Sequence, residues 1–224
     1  MKKILSYILV GFVILLIGGA IAFKVFQPIQ VLPRLRLAPG YALFNQFGQR
    51  LTNEDLRGKL VLYNFTYTRC PEPCFDQNAT IKEVQSRLAE ANLGDVELVY
   101  VTVSFDPDHD SPEALKAYAD SLGADPEQWM FATTSNKALL KTIIGTGFEA
   151  YYEPKEDGSF TFDPVFVLVD GWGIIRGEYR YQAEVSYADR ILRSLDTLGE
   201  EIRNSVGSAK LAYEAAHLFL CYTY

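Results

Sequence analysis

Apolar residues run unbroken at the head of the chain and then recur with shorter, changing periods. Ile4 to Phe23 carries no charge, with only Ser6 and Tyr7 mildly polar, and follows Lys2 and Lys3. A helix of that length, at about 1.5 Å rise per residue, spans roughly 30 Å, the hydrocarbon thickness of a bilayer. The leading lysines predict an N-terminus inside and a body outside. The competing reading is a cleaved signal peptide, for which Ala20-Ile21-Ala22 offers an A-x-A-like site. Apolar cores of such peptides run about 7–15 residues, shorter than this one, which favours an uncleaved single-pass anchor. Gln27 to Pro39, with Pro28, Pro33 and Pro39, reads as an extended tether.

Further on, Leu43 to Leu51 alternates around a Gln-Phe-Gly turn and predicts a small hairpin. Thr52 and Asp55 have capping-box spacing and open a short helical turn ending near Gly58. Lys59 to Thr66 and Val96 to Phe105 are nearly continuous apolar runs, expected of strands buried on both faces. Helical spacing covers Phe75 to Ala91. Ser111-Pro112 supplies an N-cap and an N1 proline for a helix through Leu122. A short strand at Trp129 to Ala132 and a helix over Ser135 to Ile144 follow. Val165 to Val169 and Ile174 to Tyr181 flank Asp170-Gly171-Trp172-Gly173 as a second hairpin, with helices over 186–204 and 209–221.

That order predicts an α/β fold with a mixed central sheet covered by helices, a thioredoxin-like three-layer arrangement behind one N-terminal transmembrane helix. Other small three-layer folds share the order. The predicted partition is an anchor at 1–26 (or signal peptide), a tether at 27–39, the domain at 40–204 and a helical extension at 205–224.

Composition narrows the chemistry. The chain has 224 residues with 49% hydrophobic, 3 cysteines and 2 histidines. Three cysteines exclude a disulfide-stapled miniature scaffold, and two histidines exclude a three-histidine site. The net charge is −7, and all five charges in residues 1–36 are basic, so the body is more acidic still. An acidic body lacks the basic stripe that nucleic acid requires.

Cys70-Pro71-Glu72-Pro73-Cys74 falls directly after a predicted buried strand and before a predicted helix. Helix N-termini favour the thiolate, which is both nucleophile and soft-metal ligand. Arg69 adds to that field. Outside the cytosol such a pair is expected to cycle between disulfide and dithiol, or to hold a soft metal such as Cu(I). An inert structural disulfide closing so short a loop would contribute little chain entropy. Asp106, Asp108, His109 and Asp110 read as turn and capping residues rather than a hard-cation loop, because the EF-hand spacing is absent.

The stretch from Gly58 through Phe65, Tyr67, Thr68, Cys70, Pro71 and Cys74 resembles the signature of the Sco/SenC family. Val103-Ser104-Phe105-Asp106-Pro107, followed by Asp110 and Pro112, is similar to that family's second motif, and Asp170 to Gly173 to its closing hairpin. The resemblance covers about residues 38–200. It implies a membrane-tethered thioredoxin fold serving the copper site of cytochrome c oxidase, by delivering copper, as Cu(I) or Cu(II), or by keeping that site's cysteines reduced. The implied partner is the oxidase's copper-site subunit or another copper or thiol protein. The implied location is the extracytoplasmic face of the cell membrane.

One departure bears on the choice. The family's copper-ligand histidine falls on Phe162 here, and no histidine lies between 110 and 216. Pro164 stands where thioredoxin-like oxidoreductases carry the cis-proline beside their disulfide. The expectation is therefore thiol–disulfide exchange, with Cys70 attacking, Cys74 resolving and Pro164 shaping the groove. The alternatives are a metallochaperone using Cys70, Cys74 and a third ligand, for which His217 is the candidate, and a non-catalytic assembly scaffold. His217 and Cys221 are spaced i, i+4 on the last predicted helix and share a face. Surface or core placement is the plainer reading of both.

Overall fold

The structure is a computed structural model, and it describes residues 2–26, 29–70, 77–180 and 186–219. Two compact units emerge, Arg34–Gly199 and a second formed by Met1–Pro33 with Glu200–Tyr224.

The larger unit is built on an eight-stranded sheet. Its strands are β1 (Arg36–Leu37), β2 (Ala42–Asn45), β3 (Arg50–Thr52), β4 (Leu60–Thr66), β5 (Leu98–Ser104), β6 (Trp129–Thr133), β9 (Val165–Val169) and β10 (Ile174–Arg180). A separate two-stranded ribbon pairs β7 (Tyr152–Pro154) with β8 (Phe160–Phe162). The sheet order is β1-β10-β9-β4-β5-β6-β2-β3. β4, β5 and β6 are mutually parallel, whereas β9 joins β4 antiparallel. This is the mixed, thioredoxin-like sheet expected from the element order.

Every residue of β4 and β5 is buried. Alternate side chains serve opposite faces, as the pleat requires. Val61, Tyr63 and Phe65 join Val99, Val101 and Val103 in one core cluster with Ile143, Ile144 and Phe148. The other face carries Asn64, Thr102 and Phe131 in register. Helix α2 (Gln77–Ser86), α3 (Pro112–Leu122) and α5 (Tyr187–Arg203) cover that face. Tyr118 of α3 meets Phe131 edge-on at 6.0 Å, and Tyr187 of α5 meets Phe166 at 5.2 Å.

Local signals hold where they are strong. Thr52 and Asp55 form the reciprocal capping box. Ser111 caps α3, Pro112 is its first residue, and Gly123 closes it at φ 67°, a left-handed position suited to glycine. The helix expected over Ser135 to Ile144 is α4 (Lys137–Leu140), which then widens into a π-helical stretch over Lys141–Gly147.

Within the segment expected as an extended tether, Val31 and Leu32 are buried, and Arg36–Leu37 pairs with Ile174–Ile175 of β10. An open edge on β10 would leave backbone groups unpaired, and β1 supplies them with partners. One expectation needs correction: the described residues contain no helix long and apolar enough to cross a membrane. What they do contain is α1 (Lys2–Phe26), on which Phe12, Val13, Ile14, Leu15, Leu16 and Ile17 are all exposed. Six consecutive exposed apolar side chains face every direction around a helix.

In the smaller unit, Tyr213 and Ala216 of α6 (Lys210–Phe219) pack with Val31. Asn204 donates to the Tyr213 hydroxyl at 3.1 Å, and that hydroxyl donates to Glu200 at 3.1 Å.

Candidate functional site

β4 ends at Thr66, and Tyr67 to Arg69 lead to Cys70. Cys70 is half-buried against the main core cluster, as are Phe160 and Phe162 of β8. It is disulfide-bonded. Cys74 and Cys221, the other two cysteines, lie outside the described residues, as does the expected start of α2 at Phe75.

The approach to Cys70 is clamped by the loop after β5. Because β4 and β5 are parallel and Thr66 is in register with Ser104, the loops that follow them lie side by side. Asp110, fully buried, accepts from the Thr68 N–H at 3.0 Å and from the Thr68 hydroxyl at 2.5 Å. The Ser104 hydroxyl donates to the same carboxylate at 2.5 Å. Arg69 donates to Asp106 at 2.8 Å, and His109 Nδ1 lies 3.0 Å from Asp106 and 2.6 Å from Arg69. Burial pushes the Asp106 carboxyl up, but the hydrogen bonds and charge of His109 and Arg69 outweigh it and hold the group below the ordinary carboxylate range.

An aromatic wall stands beside this clamp. Tyr67 packs on Phe105 at 5.4 Å, Phe160 at 4.9 Å and Phe162 at 6.1 Å. Phe105 stacks on Tyr152 at 4.8 Å. These contacts hold the β7–β8 ribbon, which has little apolar periodicity of its own. Phe105, Asp106, Tyr152 and Phe160 also line a cleft of about 390 Å³ rimmed by Lys137 and Lys141. Lys137 pairs with Asp108 at 2.5 Å, and Lys141 donates to the Tyr152 carbonyl at 2.7 Å.

The four polar residues of the second motif therefore divide into anchors and a surface pair. Asp106 and Asp110 hold Arg69 and Thr68, just ahead of Cys70, and Ser111 caps α3 as expected. Sequence reasoning missed the Asp110–Thr68 anchor. The readable signal was the parallel register of two neighbouring buried strands, which brings their exit loops together. Pro164 is half-buried and immediately precedes β9. Phe162, expected at the slot of the family histidine, packs 5.3 Å from Phe105, and a phenyl ring offers no donor to a metal. His217 belongs to the smaller unit, where its Nε2 lies 2.9 Å from Glu201 and both side chains are nearly buried. Among the described residues no three His, Cys, Asp or Glu side chains are grouped to hold a metal.

A mixed sheet with a disulfide-bonded cysteine at the turn from its central strand to the next helix defines a thioredoxin-like protein of the disulfide-bearing class. Residues 31–198 match the SCO1/SenC family, and the chain belongs to it. It is 27% identical over 157 residues to the SCO1 protein homolog of Bacillus subtilis, covering 69% of this chain and 80% of that one. The fold superposes on BsSco, described as a member of the Sco family of cytochrome c oxidase assembly proteins, with a TM-score of 0.64 at 22% identity, covering 75% and 96% of the two chains. It superposes on Arabidopsis thaliana ScoI with copper bound at a TM-score of 0.59 and 21% identity, covering 75% and 98%.

Proposed function

We propose that the protein assists assembly of the copper site of cytochrome c oxidase by reducing a disulfide between that site's cysteines. The observation that carries the reading is the disulfide-bonded Cys70, set at a strand-to-helix turn and clamped by Asp106 and Asp110. Cys74, three residues beyond the next proline, is its partner in this reading. In the dithiol form the Cys70 thiolate attacks one sulfur of the target disulfide, whose other sulfur leaves as a thiolate and takes a proton. Cys74 then attacks Cys70 and releases the second target thiol. Two electrons pass to the target, and the protein is left as the disulfide. An external dithiol restores it. Pro164 shapes the groove in which the target strand lies.

Copper is the cargo in the second reading, favoured by the copper-bound Arabidopsis relative. Two cysteine thiolates are soft donors suited to Cu(I). The residues present fit a two-sulfur site better than the family's three-donor one, because Phe162 fills the histidine slot. His217 is the remaining third ligand for that reading, and it would have to exchange its contact with Glu201. Membrane attachment belongs to the same proposal. The exposed apolar side chains of α1 are covered by lipid, which keeps the domain at the extracytoplasmic face of the cell membrane.

The test mixes the reduced full chain, in detergent, with a peptide carrying an oxidised copper-site cysteine pair. Release of two peptide thiols per protein is expected, with Cys70→Ser inactive and Cys74→Ser trapped as a mixed disulfide. Absence of exchange alongside tight Cu(I) binding in competition with a chelator would establish the second reading instead. Oxidase assembly that survives Cys70→Ser with Cys74→Ser would leave a docking scaffold.

A further inference from the structure

We infer that Gln77 is a positioning residue for the Cys70 disulfide, its side-chain amide replacing a missing rung between β4 and β9 and tying the first turn of α2 to the Pro164-Val165 segment. The inference rests on the thiol–disulfide reading above and identifies what tunes that site.

The antiparallel pairing of β4 with β9 runs from Val61↔Val169 to Asn64↔Phe166 and stops. The next rung would join Phe65 to Val165. β4 itself continues, because Phe65 and Thr66 still pair with Val103 and Ser104 of β5. At the vacated rung, with the side-chain amide assigned so that its oxygen faces the Val165 N–H, Gln77 Nε2 donates to the Phe65 carbonyl at 2.7 Å and Gln77 Oε1 accepts from that N–H at 3.1 Å. The opposite amide orientation keeps only a long bond from Nε2 to the Val165 carbonyl at 3.4 Å and sets the amide oxygen against the Phe65 carbonyl, so the neighbours favour this one. Gln77 is 1% exposed.

A glutamine amide has the donor and acceptor of a peptide group, so it can be inserted where two strands separate without stranding either backbone group. Here the insertion has three consequences at once. It fills the rung where β4 and β9 part, beyond the Asn64 and Phe166 pair. It ties down Gln77, the first residue of α2, a helix that follows the cysteines in the chain and whose N-terminal end favours a thiolate placed there. It also holds Val165, and through it Pro164, the residue assigned to the target groove. The rung below is polar too: Asn64 accepts from the Thr102 hydroxyl at 2.7 Å, and that oxygen accepts from Trp129 Nε1 at 2.8 Å. The last rungs of β4 before the cysteine are thus held by neutral hydrogen bonds, with Gln77 at the final one.

Glutamate gives a reversible test. In Gln77→Glu, the protonated carboxyl can donate to Phe65 and accept from Val165 as glutamine does. An ionised one cannot donate, and it adds a negative charge at the end of the strand that leads to Cys70. Burial beside a carbonyl raises the pKa of such a group, so Gln77→Glu is expected to match wild type near about pH 5 and to depart from it above neutrality. The reduced full chain, in detergent, is reacted with dithiodipyridine across pH, and its disulfide is equilibrated with dithiothreitol. Above neutrality, Gln77→Glu should react about fivefold more slowly or beyond, and its equilibrium constant should shift by a similar factor. Gln77→Ala should depart at every pH. Variants that keep the wild-type pH profile and equilibrium constant, and lose only thermal stability, would overturn the assignment. Should Gln77→Ala fail to fold, the low- and high-pH arms of Gln77→Glu decide within one sample. A wild-type chain with no exchangeable disulfide would overturn the functional reading itself, whereas an exchanging wild type with indifferent variants overturns Gln77 alone.

Discussion

Two buried aspartates hold two loops at the sheet, and they do so by different means. Asp170 opens the turn between β9 and β10, where its carboxylate accepts from the Trp172 and Ile174 N–H groups at 2.9 and 3.0 Å. Its second oxygen pairs with Arg176 at 3.1 Å, and both side chains are 5% exposed or less. Asp110 holds the approach to Cys70 through neutral donors, the Thr68 amide and the Thr68 and Ser104 hydroxyls. Arg176 meets the aspartate of the first loop directly. At the second, which has to admit a change of state at sulfur, Asp110 meets neutral donors and the cation Arg69 pairs with Asp106 instead. The difference separates a structural turn from a chemical one, although both turns share a residue type and a place at the end of a buried strand.

The largest expected effect breaks the structural side. Asp170→Ala leaves the Arg176 guanidinium buried without that carboxylate and should cost about 3–5 kcal/mol, read as a lower urea midpoint. Thiol reactivity of the surviving folded protein should stay close to wild type. A smaller loss, about 1–3 kcal/mol, is expected for Asp110→Ala, which strands the Thr68 N–H and the Ser104 hydroxyl. This substitution should change the rate of Cys70 thiol exchange clearly, and Asp170→Ala should not. Equal effects on sulfur would erase the distinction between the two loops.

A third effect is pH-dependent and smaller. Asp106 is held below the ordinary carboxylate range, so its contribution is present above the unfolded-state pKa of about 3.9 and is lost as pH falls through the lower folded value. Thermal midpoints recorded from neutral to acid pH should therefore fall less steeply in Arg69→Ala than in wild type. Arg69 is 46% exposed on its side chain, so the stability involved is about 0–1 kcal/mol. Smallest of all is Trp172→Ala. Trp172 is 79% exposed on the Asp170 turn, and its removal should leave stability within about 0.5 kcal/mol. A larger loss would mean that the ring, rather than Asp170, holds that turn.

How much was legible in the sequence follows from how local each signal is. β4 and β5 could be read because strands buried on both faces leave almost unbroken apolar runs. The cap at Ser111 and the box at Thr52 are set by residues three apart. The β7–β8 ribbon was not foreseen: Glu153, Pro154 and Thr161 are exposed, and the contacts holding it come from Phe105 and Tyr67, distant in sequence. β1 was hidden among prolines and exists because β10 offers an open edge. At the site, Cys70 was found by its place between strand and helix. Its clamp and the Gln77 insertion depend on strand register, which spacing along one chain does not display.

The most direct test of the central claim is the reduction potential of the Cys70 disulfide, measured by equilibrating the full chain against dithiothreitol and glutathione buffers. A working thiol–disulfide site should give one reversible two-electron transition between about −180 and −300 mV, abolished in Cys70→Ser. A disulfide that stays closed in those buffers, with a potential well below about −300 mV, would make it a structural staple and contradict the account.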